Sequence, residues 1–411
     1  MQVFFPDNPG NLSVYRELIW IQVRSCLRDW GMNYIYNASL FGLSDSRRQF
    51  LKTSAKSVGI AALYPWFAGS NLIGAHHKSG KTFGIALVGL GNYAMKQLAP
   101  ALQETKNCKL TGLVTGTPEK KVKYGKEYGI PDSHIYNYDN FDEIAKNDDI
   151  DIVYVVLPNS MHKEYVIRAA KAGKHVISEK PLGLNAAECE EMIRVCKEEG
   201  VTLNVGYRLH YDPNHMEVIR MAKEKPFGDV AYVQSEFSFT IGDPTQWRLR
   251  KALAGGGAVY DIGVYCIQAN RYATGEEPIA ITAQEYKTDP VKFAEVDETV
   301  CFQLEFPSGV VSNSTTSYNA RTNRLYVGYK NRGSALIEPA YSYGGIKGSI
   351  NGESMGHEPV NQQAHQMDGI CKSIVDGNDS GVSGTEGLLD MKVVDALYKS
   401  LAAGGKRIKI S

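Results

Sequence analysis

A glycine-rich turn after an apolar strand is the feature that most constrains how this chain folds. The apolar run 83–88 leads into Gly89-Leu90-Gly91-Asn92-Tyr93-Ala94, and a helix-like segment follows. In such a G-x-G-x-x-A turn the first glycine permits the tight turn, the second lets a pyrophosphate approach the backbone, and the alanine allows close helix packing. The start of the helix adds positive potential. The pattern predicts a dinucleotide site, with a glycine turn that binds no ligand as the alternative.

Short apolar runs alternate with helix-like segments beyond this turn, which is the pattern of parallel βαβ units. The apolar strands are continuous, and this indicates a sheet that is covered on both faces. We expect a doubly wound parallel sheet of the Rossmann type in a nucleotide-binding domain that spans residues 82–206. Its predicted strands are 83–88, 109–114, 152–157, 175–178 and 202–205, and its predicted helices are 92–104, 118–128, 160–172 and 185–199.

The pattern changes after Gly206, where strand-like segments dominate. We expect residues 207–411 to form an α+β domain with a large, mainly antiparallel open sheet, which carries the substrate site and the oligomer contacts. Its predicted helices are 213–223, 363–375 and 386–401. Its predicted strands are 230–239, 279–286, 299–306, 310–317, 325–329 and 407–410. Residues 1–81 are predicted to be an N-terminal extension.

The balance of charges excludes some classes of partner. The 411 residues include 45 basic and 45 acidic ones, so no overall field attracts nucleic acid or anionic lipid. The seven cysteines lack C-x-x-C pairs and metal-like histidine spacing, so we expect neither a disulfide framework nor a metal site. No uncharged apolar run reaches the roughly 18 residues of a membrane-spanning helix. We expect a soluble protein whose partner is a small molecule.

An arginine pair near the N-terminus resembles part of an export signal. The segment Ser46-Arg47-Arg48-Gln49-Phe50-Leu51-Lys52 precedes a mildly apolar stretch at 57–75, which is the layout of a twin-arginine signal. We therefore expect a periplasmic protein without a membrane anchor after export, or a cytoplasmic protein if the signal is not used. The alternative is an accidental arginine pair on an amphipathic helix.

The residues after the second strand select the dinucleotide. An NAD enzyme usually carries Asp or Glu at this point, where it binds the ribose 2′-hydroxyl. This chain has Thr115 instead, and Lys120 and Lys121 follow in the first turn of the next helix. A threonine does not repel a 2′-phosphate, and a lysine in that turn attracts one. The sequence thus predicts NADP, with two simply solvated lysines as the alternative.

Polar side chains follow the predicted strands 152–157 and 175–178. Glu179 and Lys180 come directly after strand 175–178, and Asn159 and His162 follow strand 152–157. Because open α/β sheets bind ligands at the carboxyl ends of their strands, we expect these side chains to lie near one crevice. An ordinary surface charge is the alternative for Lys180.

Asp261 and Tyr265 form a second candidate pair. They are four residues apart, so a helix would place them on one face. The phenol of a free tyrosine titrates near pH 10, so a tyrosine that exchanges protons at neutral pH needs a nearby cation. Lys180 is the predicted cation. The alternative for Tyr265 is a core aromatic residue whose hydroxyl caps a strand.

Six short segments together carry a family resemblance, namely 88–94, 157–160, 179–181, 206–213, 246–250 and 261–265. On these segments the chain resembles the glucose-fructose oxidoreductase, inositol dehydrogenase and rhizopine-catabolism family of dehydrogenases. Much of that family has histidine where this chain has Tyr265.

The resemblance implies roles for the residues that match these segments. Lys180 orients the sugar, Asp261 holds a sugar hydroxyl, and Tyr265 transfers the proton. The implied substrate contacts are Tyr211, Trp247 and Arg248. The implied cofactor contacts are Gly89, Leu90, Gly91, Asn92, Tyr93, Thr115, Lys120, Leu157, Asn159, His162, Glu179, Lys180, Tyr207 and Arg208.

The resemblance also implies an activity. The expected protein is an exported enzyme that oxidises an aldose to its lactone with bound NADP and then reduces a second sugar, such as a ketose. A homodimer or homotetramer is expected through the second sheet, because an open sheet would otherwise expose an apolar face. A one-way sugar dehydrogenase or reductase that exchanges its NADP(H) stays open, as does a nucleotide-binding sensor without catalysis.

Overall fold

The computed structural model describes residues 80–411. The predicted N-terminal extension and its twin-arginine segment therefore lie outside the described residues, apart from the last two positions of the extension. Between residues 80 and 411, no helix has both the length and the apolarity needed to cross a membrane.

Six parallel strands form the first sheet, with the order β3-β2-β1-β4-β5-β6. This order places β1 at the centre, with the chain winding outward on both sides, so the predicted doubly wound parallel sheet is confirmed. All six residues of β1 are buried, as expected for a strand covered on both faces. The strands are β1 (Phe83–Val88), β2 (Cys108–Val114), β3 (Ile135–Tyr136), β4 (Ile152–Val155), β5 (His175–Ser178) and β6 (Leu203–Val205).

Three helices of ten or more residues connect these strands: α1 (Pro118–Tyr128), α2 (His162–Lys171) and α3 (Ala186–Glu198). Helix α3 begins after Asn185, whose side chain accepts a hydrogen bond from the backbone nitrogen of Glu188. Short 3₁₀ turns lie at Asp132–His134, Phe141–Lys146 and Asn159–Met161.

The first predicted helix, 92–104, differs from the structure. Residues 92–101 are continuously helical and include a π-helical turn at Ala94–Leu98, whereas residues 102–104 form a turn. Pro100 explains part of the difference, since proline has no backbone N–H to donate to the carbonyl four residues earlier.

Nine strands form the second sheet, with the order β14-β13-β12-β11-β7-β10-β9-β8-β15. All neighbouring pairs are antiparallel except β7 and β10, which run parallel, so the predicted mainly antiparallel sheet is confirmed. The strands are β7 (Val230–Ser238), β8 (Ala280–Tyr286), β9 (Thr299–Glu305), β10 (Val311–Ser317), β11 (Thr322–Tyr329), β12 (Ser334–Ile337), β13 (Gly348–Ile350), β14 (Glu353–Ser354) and β15 (Ile408–Lys409).

Four longer helices accompany this sheet: α4 (Pro213–Glu224), α5 (Val264–Thr274), α6 (Gln362–Asp376) and α7 (Gly384–Ala402). A π-helical turn at Val259–Gly263 leads directly into α5. Short helical turns lie at Arg208–Tyr211, Trp247–Leu249 and Lys251–Ala254. Helix α5 packs against β7, and the π-helical turn before it contacts Lys180 at the carboxyl end of β5.

The outward face of the second sheet is polar. Gln234 donates to Glu236 along β7, and Gln303 on β9 donates to Asn313 on β10 at 2.6 Å. Asn313 also donates to the hydroxyl of Tyr232 at 3.3 Å. These side chains are not the apolar face on which the expectation of a homo-oligomer rested.

Helix α7 joins the two sheets into one unit. A Cβ on Gly387 would lie 2.7 Å from the side chain of Leu182, and one on Gly384 would lie 2.9 Å from Leu203. This close approach brings the C-terminal helix onto β6 and onto the loop after β5. The second sheet is thereby held beside the carboxyl ends of the parallel strands, where the predicted site residues lie.

Candidate active site

The turn after β1 has the geometry that a pyrophosphate needs. Gly89 has a φ of +91°, and a Cβ there would lie 2.5 Å from the carbonyl oxygen of Val156, so only glycine fits. A Cβ on Gly91 would meet no protein atom within 4 Å, and this residue is exposed. Open space above an exposed glycine backbone is what a close approach of phosphate oxygens requires. The geometry fits a dinucleotide.

The end of β2 carries no carboxylate. Thr115 is buried, its backbone nitrogen donates to the carbonyl of Tyr136 at 3.0 Å, and its hydroxyl accepts from the nitrogen of Thr117 at 3.2 Å. The ammonium group of Lys120 donates to the carbonyl of Leu90 at 2.9 Å. Helix α1 is thus tied to the glycine turn by a cation. A cation beside the turn and no carboxylate at position 115 together suit a 2′-phosphate.

Lys180, two residues after β5, contacts Asp261 in the π-helical turn before α5. The ammonium group of Lys180 donates to the backbone carbonyl of Asp261 and lies 3.4 Å from its carboxylate. The other carboxylate oxygen accepts from Arg248 Nε at 3.0 Å and from the hydroxyl of Tyr318 at 3.1 Å. One carboxylate therefore holds two cations and a phenol in fixed positions. Three of these residues were predicted for the site, and Tyr318 was not.

The electrostatics of Asp261 follow from these contacts. Burial raises the pKa of its carboxyl, but the attraction of Arg248 and Lys180 and the hydrogen bond from Tyr318 outweigh burial and hold the pKa below its ordinary value. Asp261 raises the pKa of the Arg248 guanidinium in return. The pair is ionised at neutral pH, so the Asp261 carboxylate can accept hydrogen bonds but has no proton to donate.

A buried aspartate fixes the segment that carries Asp261. Asp297 Oδ1 accepts from the backbone nitrogen of Gly257 at 2.7 Å, and Oδ2 accepts from that of Val259 at 2.8 Å. The hydroxyl of Tyr398 also donates to Asp297. These bonds satisfy donors at the start of the π-helical turn, much as a capping residue does.

Tyr265 lies between two cations. Lys180 Nζ is 4.8 Å from the centre of its ring, and the guanidinium carbon of Arg208 is 5.3 Å away. The rings of Phe237 and Tyr341 pack against it at 5.5 and 6.0 Å. The structure thus brings together the three predicted catalytic residues, Lys180, Asp261 and Tyr265.

Arg208 is a buried cation whose hydrogen bonds fix a neighbouring loop. Nη1 donates to the carbonyl of Ser342 at 2.9 Å and to the side chain of Gln362, and Nη2 donates to the carbonyl of Tyr341 at 2.6 Å. Its Nε is buried and has no hydrogen-bond partner among residues 80–411. A buried donor without a partner normally costs stability, so it marks a place for a ligand acceptor.

Glu179 is buried directly after the end of β5. The hydroxyl of Tyr154 donates to its carboxyl at 2.7 Å, and Gln366 on α6 donates to Tyr154 at 3.0 Å. Burial raises the pKa of Glu179, against the lowering effects of this bond and of Lys180. A Cβ on Gly206 would lie 2.5 Å from the Glu179 carboxyl, which explains a glycine after β6.

Four predicted side chains are engaged in the framework around the site. Asn159 donates to the carbonyl of Ala254 at 2.8 Å, and the two ring nitrogens of His162 lie 2.9 Å from the carbonyls of Pro181 and Leu157. The hydroxyl of Tyr207 donates to Asp390 at 2.5 Å, and that of Tyr211 donates to the carbonyl of Ser380 at 3.2 Å. Their side chains hold loops in place, and the predicted cofactor and substrate contacts of these residues stay predictions.

Two tyrosines extend the predicted site. Tyr318 follows the end of β10, and Tyr343 lies in a loop after β12, where its ring covers the guanidinium of Arg208 at 4.6 Å. Trp247, which was predicted, packs under Arg248 at 4.7 Å. An aromatic residue at a strand end was a usable signal for Tyr318, and the sequence Tyr343-Gly344-Gly345 was one for Tyr343.

Two family models match most of the described chain. Residues 83–207 match the model of an oxidoreductase family with an NAD-binding Rossmann fold, GFO_IDH_MocA. Residues 215–350 match the GFO/IDH/MocA C-terminal domain.

Individual relatives point the same way. The crystal structure of aldose-aldose oxidoreductase from Caulobacter crescentus, complexed with glycerol, is 42% identical, covers 80% of this chain and 100% of that one, and has a TM-score of 0.76. D-xylose 1-dehydrogenase [NADP(+)] of Haloarcula marismortui is 29% identical over 77% of this chain and 90% of that protein. D-xylose 1-dehydrogenase (NADP(+)) 2 of Haloferax volcanii is 26% identical over 78% of this chain and 98% of that protein.

Proposed function

Because the chain belongs to the Gfo/Idh/MocA oxidoreductase family, we propose that it uses NADP to oxidise one sugar and to reduce another at a single site. Family membership confirms the resemblance drawn from the motifs. Two relatives carry NADP(+) in their names, and the Caulobacter enzyme is named for a reaction between two aldoses. At the level of these relatives, the prediction of an NADP-dependent oxidoreductase acting on CH–OH groups of sugars is confirmed.

The observation that carries the proposal is the cluster of Lys180, Asp261 and Tyr265 at the carboxyl edge of the first sheet. It combines a group that exchanges a proton, a cation beside it, and an ionised acceptor for hydroxyl groups. Oxidation of a sugar hydroxyl to a carbonyl needs these three functions beside a hydride acceptor. A sensor without catalysis has no use for such a set.

The residues that would hold the nucleotide are the glycine turn, Thr115, Lys120 and the unpaired Nε of Arg208. When bound, NADP⁺ supplies the acceptor that takes a hydride from the sugar carbon, and NADPH returns a hydride to the second sugar. The protein must therefore manage the proton, the hydroxyl groups and the exclusion of water.

Tyr265 is the residue that handles the proton. In the first half-reaction its oxygen takes the proton of the C1 hydroxyl while the C1–H bond breaks, so that a lactone forms. In the second half-reaction it donates that proton to the carbonyl oxygen of the second sugar, which becomes an alcohol. Lys180 stabilises negative charge on the phenol oxygen, and Asp261 accepts a hydrogen bond from a neighbouring sugar hydroxyl.

Recycling of a bound cofactor fits an exported enzyme. The segment Ser46 to Lys52 supports export by the twin-arginine route, and a compartment without a nucleotide pool favours an enzyme that keeps its NADP.

We extend the proposal to a homodimer or homotetramer built through the second sheet, now by its polar outward face. Light scattering at micromolar concentration tests the assembly, and a monomer would contradict it.

The test of the function uses the purified full-length protein. Its nucleotide content is measured after gel filtration and denaturation, and D-glucose or D-xylose is then added to the undenatured protein. We expect NADP close to one per chain, a rise in absorbance at 340 nm that stops at one equivalent, and a fall when a second sugar is added. NADPH that accumulates only with added free NADP would favour the one-way dehydrogenase, and no change with any sugar would favour the sensor.

A further inference from the structure

Tyr343 stands at the boundary between the glycine turn and the second sheet. It belongs to the loop between β12 and β13, and 51% of it is exposed. Its ring lies 4.6 Å from the guanidinium carbon of Arg208 and 5.6 Å from the ring of Tyr93, tilted by 31°. Tyr93 is part of the turn that is expected to hold the pyrophosphate. One side chain thus spans from the second sheet to the nucleotide-binding turn.

The backbone before Tyr343 is rigidly held. Arg208 donates to the carbonyls of Tyr341 and Ser342, the two residues that precede Tyr343. The backbone nitrogen of Tyr341 donates in turn to Asn323 on β11 at 2.6 Å. The ring is therefore fixed from below by the same cation on which it stacks.

The backbone after Tyr343 is free of such constraints. Gly344 and Gly345 follow, and a Cβ on either would meet no atom within 4 Å. Gly345 has a φ of +70°, which lets the chain turn away toward β13. The loop thus presents a single aromatic ring at the edge of the cleft and then leaves it.

From this geometry we propose that Tyr343 retains the bound nucleotide by closing the edge of the cleft between the glycine turn and the second sheet. The ring blocks the side of the cleft between Tyr93 and Arg208, so the nucleotide leaves only after the ring moves off both. This inference rests on the proposed function in one respect, namely that a dinucleotide binds at the turn after β1.

The effect is expected in the rate of dissociation. Stacking between aromatic rings and between a ring and a guanidinium is attractive, and both contacts must break before the ring of Tyr343 can move. Loss of both contacts should raise the dissociation rate of the nucleotide tenfold or more. The hydroxyl of Tyr343 makes no part of this argument, so a phenylalanine should replace the tyrosine.

The experiment follows the release of NADPH from the full-length protein. The protein is loaded with NADPH, mixed with excess NADP⁺, and the loss of bound NADPH fluorescence is recorded by stopped flow. We expect dissociation at least tenfold faster from Tyr343→Ala and within threefold of the wild type from Tyr343→Phe. Tyr286→Ala is the matched control, because Tyr286 is 53% exposed on β8 and should leave the rate unchanged.

Two results would overturn the inference. One is a dissociation rate of Tyr343→Ala within twofold of the wild type, and the other is an equal acceleration in Tyr343→Phe. If Tyr343→Ala does not fold, Tyr343→Leu keeps an apolar side chain without the ring and is held to the same tenfold expectation. Fast release from the wild type itself would count against a recycled cofactor, while the ratio between variants would still decide the role of Tyr343.

Discussion

Asp261→Asn is the substitution whose effect the structure defines best. It keeps the shape of the side chain and removes the charge that three donors share. Arg248 Nε, the Tyr318 hydroxyl and Lys180 Nζ lie 3.0, 3.1 and 3.4 Å from the carboxylate. An amide offers one oxygen in place of two, and its N–H₂ group faces a cation.

The magnitude follows from these distances. At 3.4 Å and an effective dielectric constant of about 20, the attraction between Lys180 and Asp261 is about 5 kcal/mol before the cost of desolvation. The side chain of Arg248 is 34% exposed, so its share is reduced by solvent. Hydrogen bonds to charged groups contribute about 1.5–3 kcal/mol net, which corresponds to roughly a 10- to 150-fold change in rate. We therefore expect kcat/KM for the aldose to fall by about 10- to 150-fold.

The assay separates positioning from binding of the nucleotide. Sugar oxidation is measured at saturating NADP, and the nucleotide content of the protein is measured after gel filtration. We expect the variant to retain its nucleotide, because Asp261 is not among the expected cofactor contacts. Asp229→Asn is the control, since Asp229 pairs with Lys225 and Lys330 at 2.8 and 3.5 Å on the surface. A rate for Asp261→Asn within threefold of the wild type would refute the reasoning.

Three further predictions concern the cofactor and stability. Gly91→Ala should leave the melting temperature unchanged, because its Cβ would meet no protein atom within 4 Å, but calorimetry should show NADP binding weakened at least tenfold. Unchanged affinity for NADP would show that no phosphate approaches Gly91. Thr115→Asp should shift the ratio of kcat/KM values from NADP toward NAD, because a carboxylate repels the 2′-phosphate, and a native enzyme that already prefers NAD would contradict this. Burial lowers the pKa of His210 to about 3 and that of His215 to about 4. Since these folded-state values lie below the unfolded value near 6.5, the stability they confer is present above pH 6.5 and is lost as pH falls toward 4, by up to about 1.4 kcal/mol per pH unit for each histidine. Urea unfolding at pH 7 and pH 5 checks this, and equal stability at both would show that the buried rings titrate normally.

Much of the fold was predictable because the local signals were strong. Strands 83–88 and 175–178 have the predicted bounds, since each is a short run of mainly apolar residues bordered by clear turns. The helix predicted at 92–104 begins at the predicted residue but ends at residue 101 and contains a π-helical turn, because periodicity alone registers neither Pro100 nor such a turn. Strands β12, β13 and β14 were not predicted, because segments of two to four residues give too little alternation to read.

The site was predictable where residues follow strand ends and less so where distant segments converge. Lys180 and Glu179 follow β5, and topology alone places them at the carboxyl edge. The contacts of Arg208 with Tyr341 and Ser342 join residues more than 130 positions apart, and no local pattern records them. The position of Tyr343 depends on the same long-range contacts, because Tyr343 directly follows Tyr341 and Ser342.

The most direct test of the central claim is the behaviour of Tyr265→Phe in both half-reactions. Bound NADP is reduced with an aldose in a single turnover, and bound NADPH is oxidised with a second sugar in another. If one tyrosine accepts the proton and later returns it, removal of its oxygen should slow both directions by roughly 10²–10⁴-fold while nucleotide content stays the same. A near-native rate in either direction would contradict the account, because another group would then carry the proton.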